Sequence, residues 1–337
     1  MILITGATGL IGSHAALYLL EKGIAVRAIY RTKSSLSRTR LLFKGYGKED
    51  LFDKIEWINA NINDIPALEP AFIDVDEVWH CAALISFSRK DEDRLRKVNI
   101  EGTANMVNLS IDFGVEKFCF ISSIAALGDT KNASEIIDEE MEWNPEKHHS
   151  DYAISKYGAE MEVWRGQQEG LKVVIVNPGV VLGPGFWDRG SGEIFTAVAN
   201  DLPFYTTGST GFVAVTDLVE IMYLLMNNNL FGERFAIVSE NIIYRDLAFE
   251  IADLMKVKRP GIHATNWMTE ASWIFDYLLA GLFRKKRKIY RETARAVHDE
   301  ELYSNKKVCN ALSYKFTDIS TYLPKVIELQ GKINPIA

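Results

Sequence analysis

Cysteine is scarce in this chain: three residues among 337, at Cys81, Cys119 and Cys309, with no Cys-x-x-Cys spacing. That scarcity excludes a disulfide-built secreted scaffold and a thiolate metal centre, both of which need paired or clustered sulfurs. Cys81 and Cys119 fall in apolar, strand-like runs and read as buried free thiols in a reducing compartment. No His/Cys/Asp/Glu spacing suggests another kind of metal site. A surplus of positive charge is also missing. With a formal net charge of −7 the chain has no general attraction for nucleic acid or an anionic bilayer, so its expected partner is a small molecule. The run Ala271–Phe283 is too short to span a membrane and is interrupted by Asp276. Arg284–Lys288 follow it, so it reads as a pocket-covering helix with a solvated basic end, with membrane-surface contact over 271–288 as the alternative. The first apolar strand begins at Met1, which leaves no room for a signal peptide, so a cytoplasmic location is expected.

What is present is 47% hydrophobic residues, ample for a sizeable core. Short apolar runs at Met1–Thr5, Ala25–Tyr30, Glu56–Asn59, Val75–His80, Lys117–Ser122 and Leu171–Asn177 read as buried parallel strands. Helical stretches near Leu10–Lys22, Ile65–Phe72, Asp91–Phe113 and Asp151–Glu169 alternate with them. The expected fold is therefore α/β, a doubly wound parallel sheet, with Phe235–Val238 as a returning strand. After Asn177 the pattern loosens into Asn-Pro-Gly-Val-Val-Leu-Gly-Pro-Gly, and residues 244–337 read as mostly helical. This predicts a dinucleotide-binding Rossmann domain over 1–177 and 211–240. A smaller, discontinuous, mostly helical substrate lobe would take 178–210 and 241–337. There is no internal repeat, low-complexity tract or free linker.

The chemistry starts at residue 1. An apolar strand runs into Thr5-Gly6-Ala7-Thr8-Gly9-Leu10-Ile11-Gly12 and then a helix. Gly6 permits a tight turn, Gly9 removes a side chain where amides must approach a pyrophosphate, and Gly12 lets the helix pack on the strand. Thr8, Leu10 and Ile11 would offer backbone amides to that pyrophosphate. Far downstream stand Ser123 and the pair Tyr152 and Lys156, four apart on a predicted helix and so on one face of it. An ammonium beside a phenol, added to the charge of a nicotinamide, favours phenolate. Tyr152 would exchange a proton with the substrate oxygen while hydride moves at the adjacent carbon, and Ser123 would orient that oxygen.

These residues resemble the extended short-chain dehydrogenase/reductase family, part of the NAD-dependent epimerase/dehydratase superfamily, over nearly the whole chain. The Thr5–Gly12 turn, His80-Cys81-Ala82-Ala83, Asn99, Ser122-Ser123, Tyr152–Lys156 and Asn177-Pro178-Gly179 carry the likeness. Asn-Pro-Gly-Val-Val-Leu-Gly-Pro-Gly, Arg291–Arg295 and the closing Tyr303-Ser-Asn-Lys-Lys point to the dihydroflavonol-reductase-like and 3β-hydroxysteroid-dehydrogenase-like branch. The resemblance implies catalytic roles for Ser123, Tyr152, Lys156 and Asn99. It also implies cofactor contacts from Gly6, Thr8, Gly9, Leu10, Ile11, Gly12, Arg31, Asn61, Ile62, Ala82, Ala83, Tyr152, Lys156 and Pro178. NAD-specific members place an acid at the end of the second strand, where this chain has Tyr30 followed by Arg31. Arg31, with Lys33 or Ser34 nearby, suits a 2′-phosphate, so NADP is favoured over NAD. Asn61 stands where the family usually has an Asp for the adenine amino group, and its amide oxygen can still accept. His80 reads as a satisfied structural histidine, and Asp217 as an N-cap. His148 and His149 read either as lining the pocket mouth or as a solvated loop pair.

The main expectation is a carbonyl reductase or alcohol dehydrogenase exchanging NADP(H). A nucleotide-sugar epimerase with retained NAD is the alternative, and a non-catalytic NAD(P)-sensing protein a third reading. Ile124 and Ala125 stand where sugar dehydratases carry an acid pair. Arg189, Arg234, Arg245 and Arg291 are the cations available for a sugar diphosphate. Phe87, Phe186, Trp187, Phe204, Tyr205 and Trp267 suggest a bulky apolar or aromatic substrate. A homodimer is expected through helices Asp91–Phe113 and Asp151–Glu169, with Met106, Val107, Met161 and Trp164 as contacts.

Overall fold

The computed structural model describes residues 1–129, 135–283 and 290–333. Its strands are β1 Ile2–Thr5, β2 Val26–Tyr30, β3 Glu56–Asn59, β4 Glu77–His80, β5 Lys117–Ile121, β6 Lys172–Pro178, β7 Val180–Leu182, β8 Phe204–Tyr205, β9 Ser209–Ala214, β10 Glu233–Ile237, β11 Glu240–Ile243 and β12 Ile262–His263. Its helices are α1 Leu10–Glu21, α2 Leu36–Gly45, α3 Glu49–Phe52, α4 Ile65–Phe72, α5 Glu92–Leu95, α6 Gly102–Asp112, α7 Asp151–Gln168, α8 Gly192–Ala199, α9 Val215–Asn227, α10 Tyr244–Met255, α11 Asn266–Phe283, α12 Arg291–Ala296, α13 Lys306–Leu312 and α14 Ile319–Ile333.

Alternation within the central strands explains the layered core. Ile2, Ile4, Trp79, Cys119, Val174 and Val176 face one side, against α1 and α9 residues such as Leu17, Leu218 and Met222. Leu3, Val78, Phe118, Phe120, Val173 and Ile175 face the other, against Met106, Val107 and Val163. Both faces are covered, which is why these strands lack polar alternation. Each fully buried large aliphatic or aromatic side chain contributes about 1.5–3 kcal/mol. The strands form one sheet of seven in the order β10-β6-β5-β4-β1-β2-β3. Every pairing in it is parallel. Strand order reverses between β1 and β4, and a crevice opens at their carboxyl ends, where such sheets bind ligands.

Strand boundaries expected from the sequence hold within two residues for β1 to β6 and β10. Other expectations are corrected. The helix predicted over Asp91–Phe113 runs unbroken over Glu92–Asp112 but is not uniform: α5 passes through a wide π turn over Arg96–Glu101 before α6. Helices α2 and α3, absent from the sequence reading, follow β2. Asp217 is not an N-cap. Ala214 holds the N-cap position of α9 without a side-chain cap, and the Asp217 carboxylate accepts from Thr317 N at 2.7 Å and Thr317 Oγ1 at 2.9 Å, tying down the segment before α14. Met106 and Val107 are fully buried against the sheet, so neither is available to a second subunit, whereas Met161 is 40% exposed.

The later part of the chain also carries strands, in a three-stranded sheet β11-β9-β7 and a pair β12-β8. Its core joins Trp187, Phe195, Phe212, Leu247, Ile251 and Leu323. Helix α14 then returns to the first half, where Ile333 packs with Leu42 of α2 and with Phe186. The Gln330 Oε1 of α14 accepts from Gly185 N at 2.7 Å. Among the described residues no helix is long and apolar enough to cross a membrane. The basic cluster Arg284–Lys288 lies outside the described residues.

Candidate functional site

The glycine turn behaves as its spacing requires. Gly6 has φ +69°, and a Cβ there would lie 2.7 Å from the Ala82 nitrogen, so the turn after β1 sits directly against the chain leaving β4. A Cβ on Gly12 would stand 2.4 Å from the Gly6 carbonyl oxygen, which is how closely α1 approaches that turn. No side chain caps α1 at Gly9, so its first-turn amides are left to a ligand. An uncapped helix N-terminus after a glycine-rich turn fits a dinucleotide pyrophosphate.

Thr8, Leu10, Ile11, Arg31, Asn61, Ile62, Ala82, Ala83 and Pro178 line one continuous cavity with Gly6, Gly9, Gly12, Ser123, Tyr152 and Lys156. Its volume is about 1610 Å³. A pocket for a single small molecule usually runs to about 300–1,000 Å³, so this one has space for a dinucleotide and a second reactant. At the β2 end, Asn59 Nδ2 donates to the Tyr30 and Arg31 carbonyls at 3.1 and 3.2 Å and fixes the backbone that carries the Arg31 side chain. Among the described residues the Arg31 guanidinium has no ion-pair partner. Asn61 is less free than expected, because its Oδ1 accepts from Asn63 N at 3.2 Å. The second lone pair of that oxygen remains for an adenine amino group.

Helix α7 begins with Ser150, whose Oγ accepts from Ala153 N at 3.1 Å, and this cap sets Tyr152 in the first turn. A first-turn position favours negative charge by about 0.3–1 kcal/mol. Burial nevertheless raises the Tyr152 pKa, and a hydrogen bond with the Ser123 side chain offsets part of that rise. Ser123 ends the β5 segment and caps the short turn Ile124–Ala126, its Oγ accepting from Ala125 N at 3.2 Å. Lys156 is buried. Its Nζ donates to the Ile121 carbonyl at 2.6 Å and stands 4.4 Å from the centre of the Phe120 ring. The ammonium is thus turned to a carbonyl rather than to the phenol, and in the protein alone it does not produce the depressed Tyr152 pKa expected from the sequence. Burial lowers the Lys156 pKa to about 8.

Asn99 lies in the π turn, where its Nδ2 donates to Leu84 O at 3.0 Å and Ser155 Oγ at 2.9 Å, and its Oδ1 accepts from Leu84 N at 2.7 Å. It clamps the loop after β4 to α7. The unusual turn is what allows the reach, and such turns concentrate at functional sites. His80 is structural. Thr103 Oγ1 donates to Asn99 O at 2.5 Å and so must accept from His80 Nε2 at 3.1 Å. The other ring nitrogen then accepts from Thr5 Oγ1 at 2.6 Å, which in turn accepts from Ala82 N at 3.0 Å. Burial holds this ring neutral, with a pKa near about 3.

Of the aromatics expected at the substrate end, Phe87, Phe186 and Trp187 line the cavity and Phe204, Tyr205 and Trp267 do not. Trp267 is 73% exposed, and Tyr205 stacks on His263, so their apolar character serves neither pocket nor core as assumed. Phe87 stands 6.0 Å from the Tyr152 ring. His148 and His149 both line the cavity, and His149 stacks on Trp143 at 3.8 Å. Arg189 and Arg291 reach the wall, whereas Arg245 pairs with Asp246 at 2.7 Å and Arg234 is engaged behind the site. Among the described residues no His/Cys/Asp/Glu group is arranged to hold a metal ion.

Comparison with known proteins agrees with this geometry. Residues 2–238 match the NAD dependent epimerase/dehydratase family. The protein named "Putative dihydroflavonol 4-reductase" of Synechocystis sp. is 28% identical over 290 residues, covering 83% of this chain and 80% of its own length. The UDP-glucose 4-epimerase of Vibrio cholerae is 28% identical over 249 residues, covering 71% and 70%. The solved structure of gox2253 superposes with a TM-score of 0.81 at 26% identity, covering 100% of this chain and 99% of that one. A match of that extent on a seven-stranded parallel sheet of this order means that the chain belongs to the NAD dependent epimerase/dehydratase family, whose named relatives are enzymes.

Proposed function

We propose that the protein moves hydride between NADP(H), or less readily NAD(H), and a carbonyl or hydroxyl carbon of a small, bulky apolar substrate, with Tyr152 as acid/base. The observation that carries this reading is that Ser123, Tyr152 and buried Lys156 line the same cavity as the glycine turn. Bound nicotinamide would supply the hydride and, when oxidised, a positive charge. In reduction, Tyr152 gives its proton to the substrate oxygen and Ser123 holds that oxygen in place. Lys156 supplies positive charge from below, and Asn99 keeps the Leu84 segment against α7. Ile85, Phe87, Val98, Leu127 and Val180 are among the apolar side chains that line the cavity, which suits a bulky substrate.

The test is incubation of the purified protein with NADPH and cinnamaldehyde, a ketosteroid or UDP-glucose in turn. Loss of NADPH fluorescence with either carbonyl compound is expected. Interconversion of UDP-glucose and UDP-galactose without net nicotinamide turnover would instead select an epimerase. That second reading has in its favour the Vibrio cholerae relative and Arg291, which lines the cavity with no ion-pair partner among the described residues.

Cofactor preference rests on Arg31. Arg31→Ala should weaken NADPH about tenfold, the low end for a charge-assisted hydrogen bond, because this side chain is exposed and screened. NADH should be almost unaffected. Equal losses for both in titration calorimetry would mean that Arg31 stacks on the adenine instead. We also propose a homodimer formed through α6 and α7, with half-buried Trp164 and exposed Met161 as contacts. Light scattering at micromolar concentration should give twice the chain mass, and a monomer would refute it.

A further inference from the structure

One helical turn beyond Lys156 stands a second buried charge that the mechanism above does not use. Glu160 is fully buried. Its Oε1 accepts from Ser122 Oγ and, at 2.6 Å, from Asn177 Nδ2, while its Oε2 faces Arg234 Nη1 at 3.5 Å. Asn177 Nδ2 also donates to the Ser123 carbonyl at 2.9 Å. Arg234 reaches on to the Glu139 carbonyl at 2.7 Å and the Met141 carbonyl at 3.1 Å. One carboxylate therefore joins the ends of β5 and β6, the β10 edge and the helix that carries Tyr152 and Lys156.

We propose that Glu160 is a positioning residue that holds the Ser122-Ser123 turn and keeps Lys156 an ammonium. The inference rests on the catalytic reading of Lys156. An ammonium enclosed by the Phe120 ring, the Ile121 carbonyl and the start of its own helix loses hydration, which favours the neutral amine. The titratable groups facing it from each neighbouring element are Cys81 and His80 at the end of β4, and Tyr152 and Glu160 on α7, with Arg234 of β10 behind Glu160. Burial pushes the Cys81 thiol up to about 12 and holds His80 neutral, and Tyr152 is an uncharged phenol. That leaves Glu160 as the anion opposing the desolvation of Lys156, and it exerts the largest upward pull on that group. Burial also raises the Glu160 pKa, which the bonds from Ser122 and Asn177 and the charge of Arg234 counter.

The test needs no substrate. Full-length protein with ¹³Cε-labelled lysine is titrated by NMR, with the Lys156 signal assigned by its loss in Lys156→Arg. The wild-type midpoint should lie near about 8. Glu160→Gln should lower it by about one pH unit, the small end of what a neighbouring opposite charge does to a buried group, and Glu160→Asp should bring it back up. Should Glu160→Gln alone not fold by circular dichroism, the double variant Glu160→Gln/Arg234→Gln removes the Arg234 charge that would otherwise lose its carboxylate partner, and the Lys156 midpoint should again fall. An unchanged midpoint in a folded variant lacking the Glu160 charge overturns the proposal. A protein whose Lys156 responds but which reduces no carbonyl keeps this inference and loses the proposed function, and the reverse outcome separates them the other way.

Discussion

Replacing Tyr152 with phenylalanine is expected to cut turnover by about 10²–10⁴, the range for a group that transfers a proton in the transition state. Melting temperature and NADPH affinity should change little, because the ring stays in place and only the hydroxyl is lost. Turnover retained by that variant would remove Tyr152 from the mechanism. The pH dependence has a definite sign. Burial raises the phenol pKa, so Tyr152 stays protonated through neutral pH and is a proton donor there. Reduction should hold its rate across neutral pH and fall only on the alkaline side, whereas alcohol oxidation, which needs phenolate, should rise with pH. Oppositely directed profiles in the wild type, both flattened in the phenylalanine variant, are the expected pattern.

Lys156→Ala should have the second large effect, on turnover and cofactor affinity together. The substitution removes a buried positive charge and leaves the Ile121 carbonyl without its donor, where Lys156 Nζ stood at 2.6 Å. Loss of a hydrogen bond to a charged group corresponds to about 1.5–3 kcal/mol in NADPH binding, read by calorimetry. Turnover should fall by about 10² or more, as for other groups that steer proton transfer. Lys156→Met, which keeps the stem packed under Phe120, separates charge from volume. If both variants melt earlier yet bind and turn over normally once folded, Lys156 is a packing residue and the mechanism lacks its cation.

Much of this arrangement is legible in the sequence because it is local or strictly periodic. The glycine turn is encoded by residues adjacent in the chain, and Gly6 and Gly12 are required there by backbone contacts that no side chain could share. The central strands declare themselves because both faces are buried. What the sequence conceals depends on partners distant in the chain. Glu160 is indistinguishable from a solvated helix residue until β5, β6 and β10 surround it, although its spacing of one turn from Lys156 was a usable signal. The π turn around Asn99 keeps a helical residue pattern, and only its bonds to Leu84 and Ser155 reveal the wider winding. Arg27 is a strand residue whose charge is hidden: it pairs with Glu56 at 2.9 Å across the β2–β3 edge. Trp267 and Phe204 misled because an aromatic residue carries no record of which surface it meets.

The return of α14 to the first half of the molecule sets an order on biosynthesis. The strands β1 to β6 leave the ribosome early and can pair among themselves, since domains generally fold from the amino end during synthesis. Leu42 and Phe186, however, lack part of their cover until Ile333 arrives, and the Gly185 amide waits for Gln330. A nascent chain halted before residue 319 would hold an assembled glycine turn beneath an apolar surface still open to chaperones and to other nascent chains. Arrival of α14 is therefore the event that completes this wall, and products cut before it should partition into aggregates even though they carry Ser123, Tyr152 and Lys156.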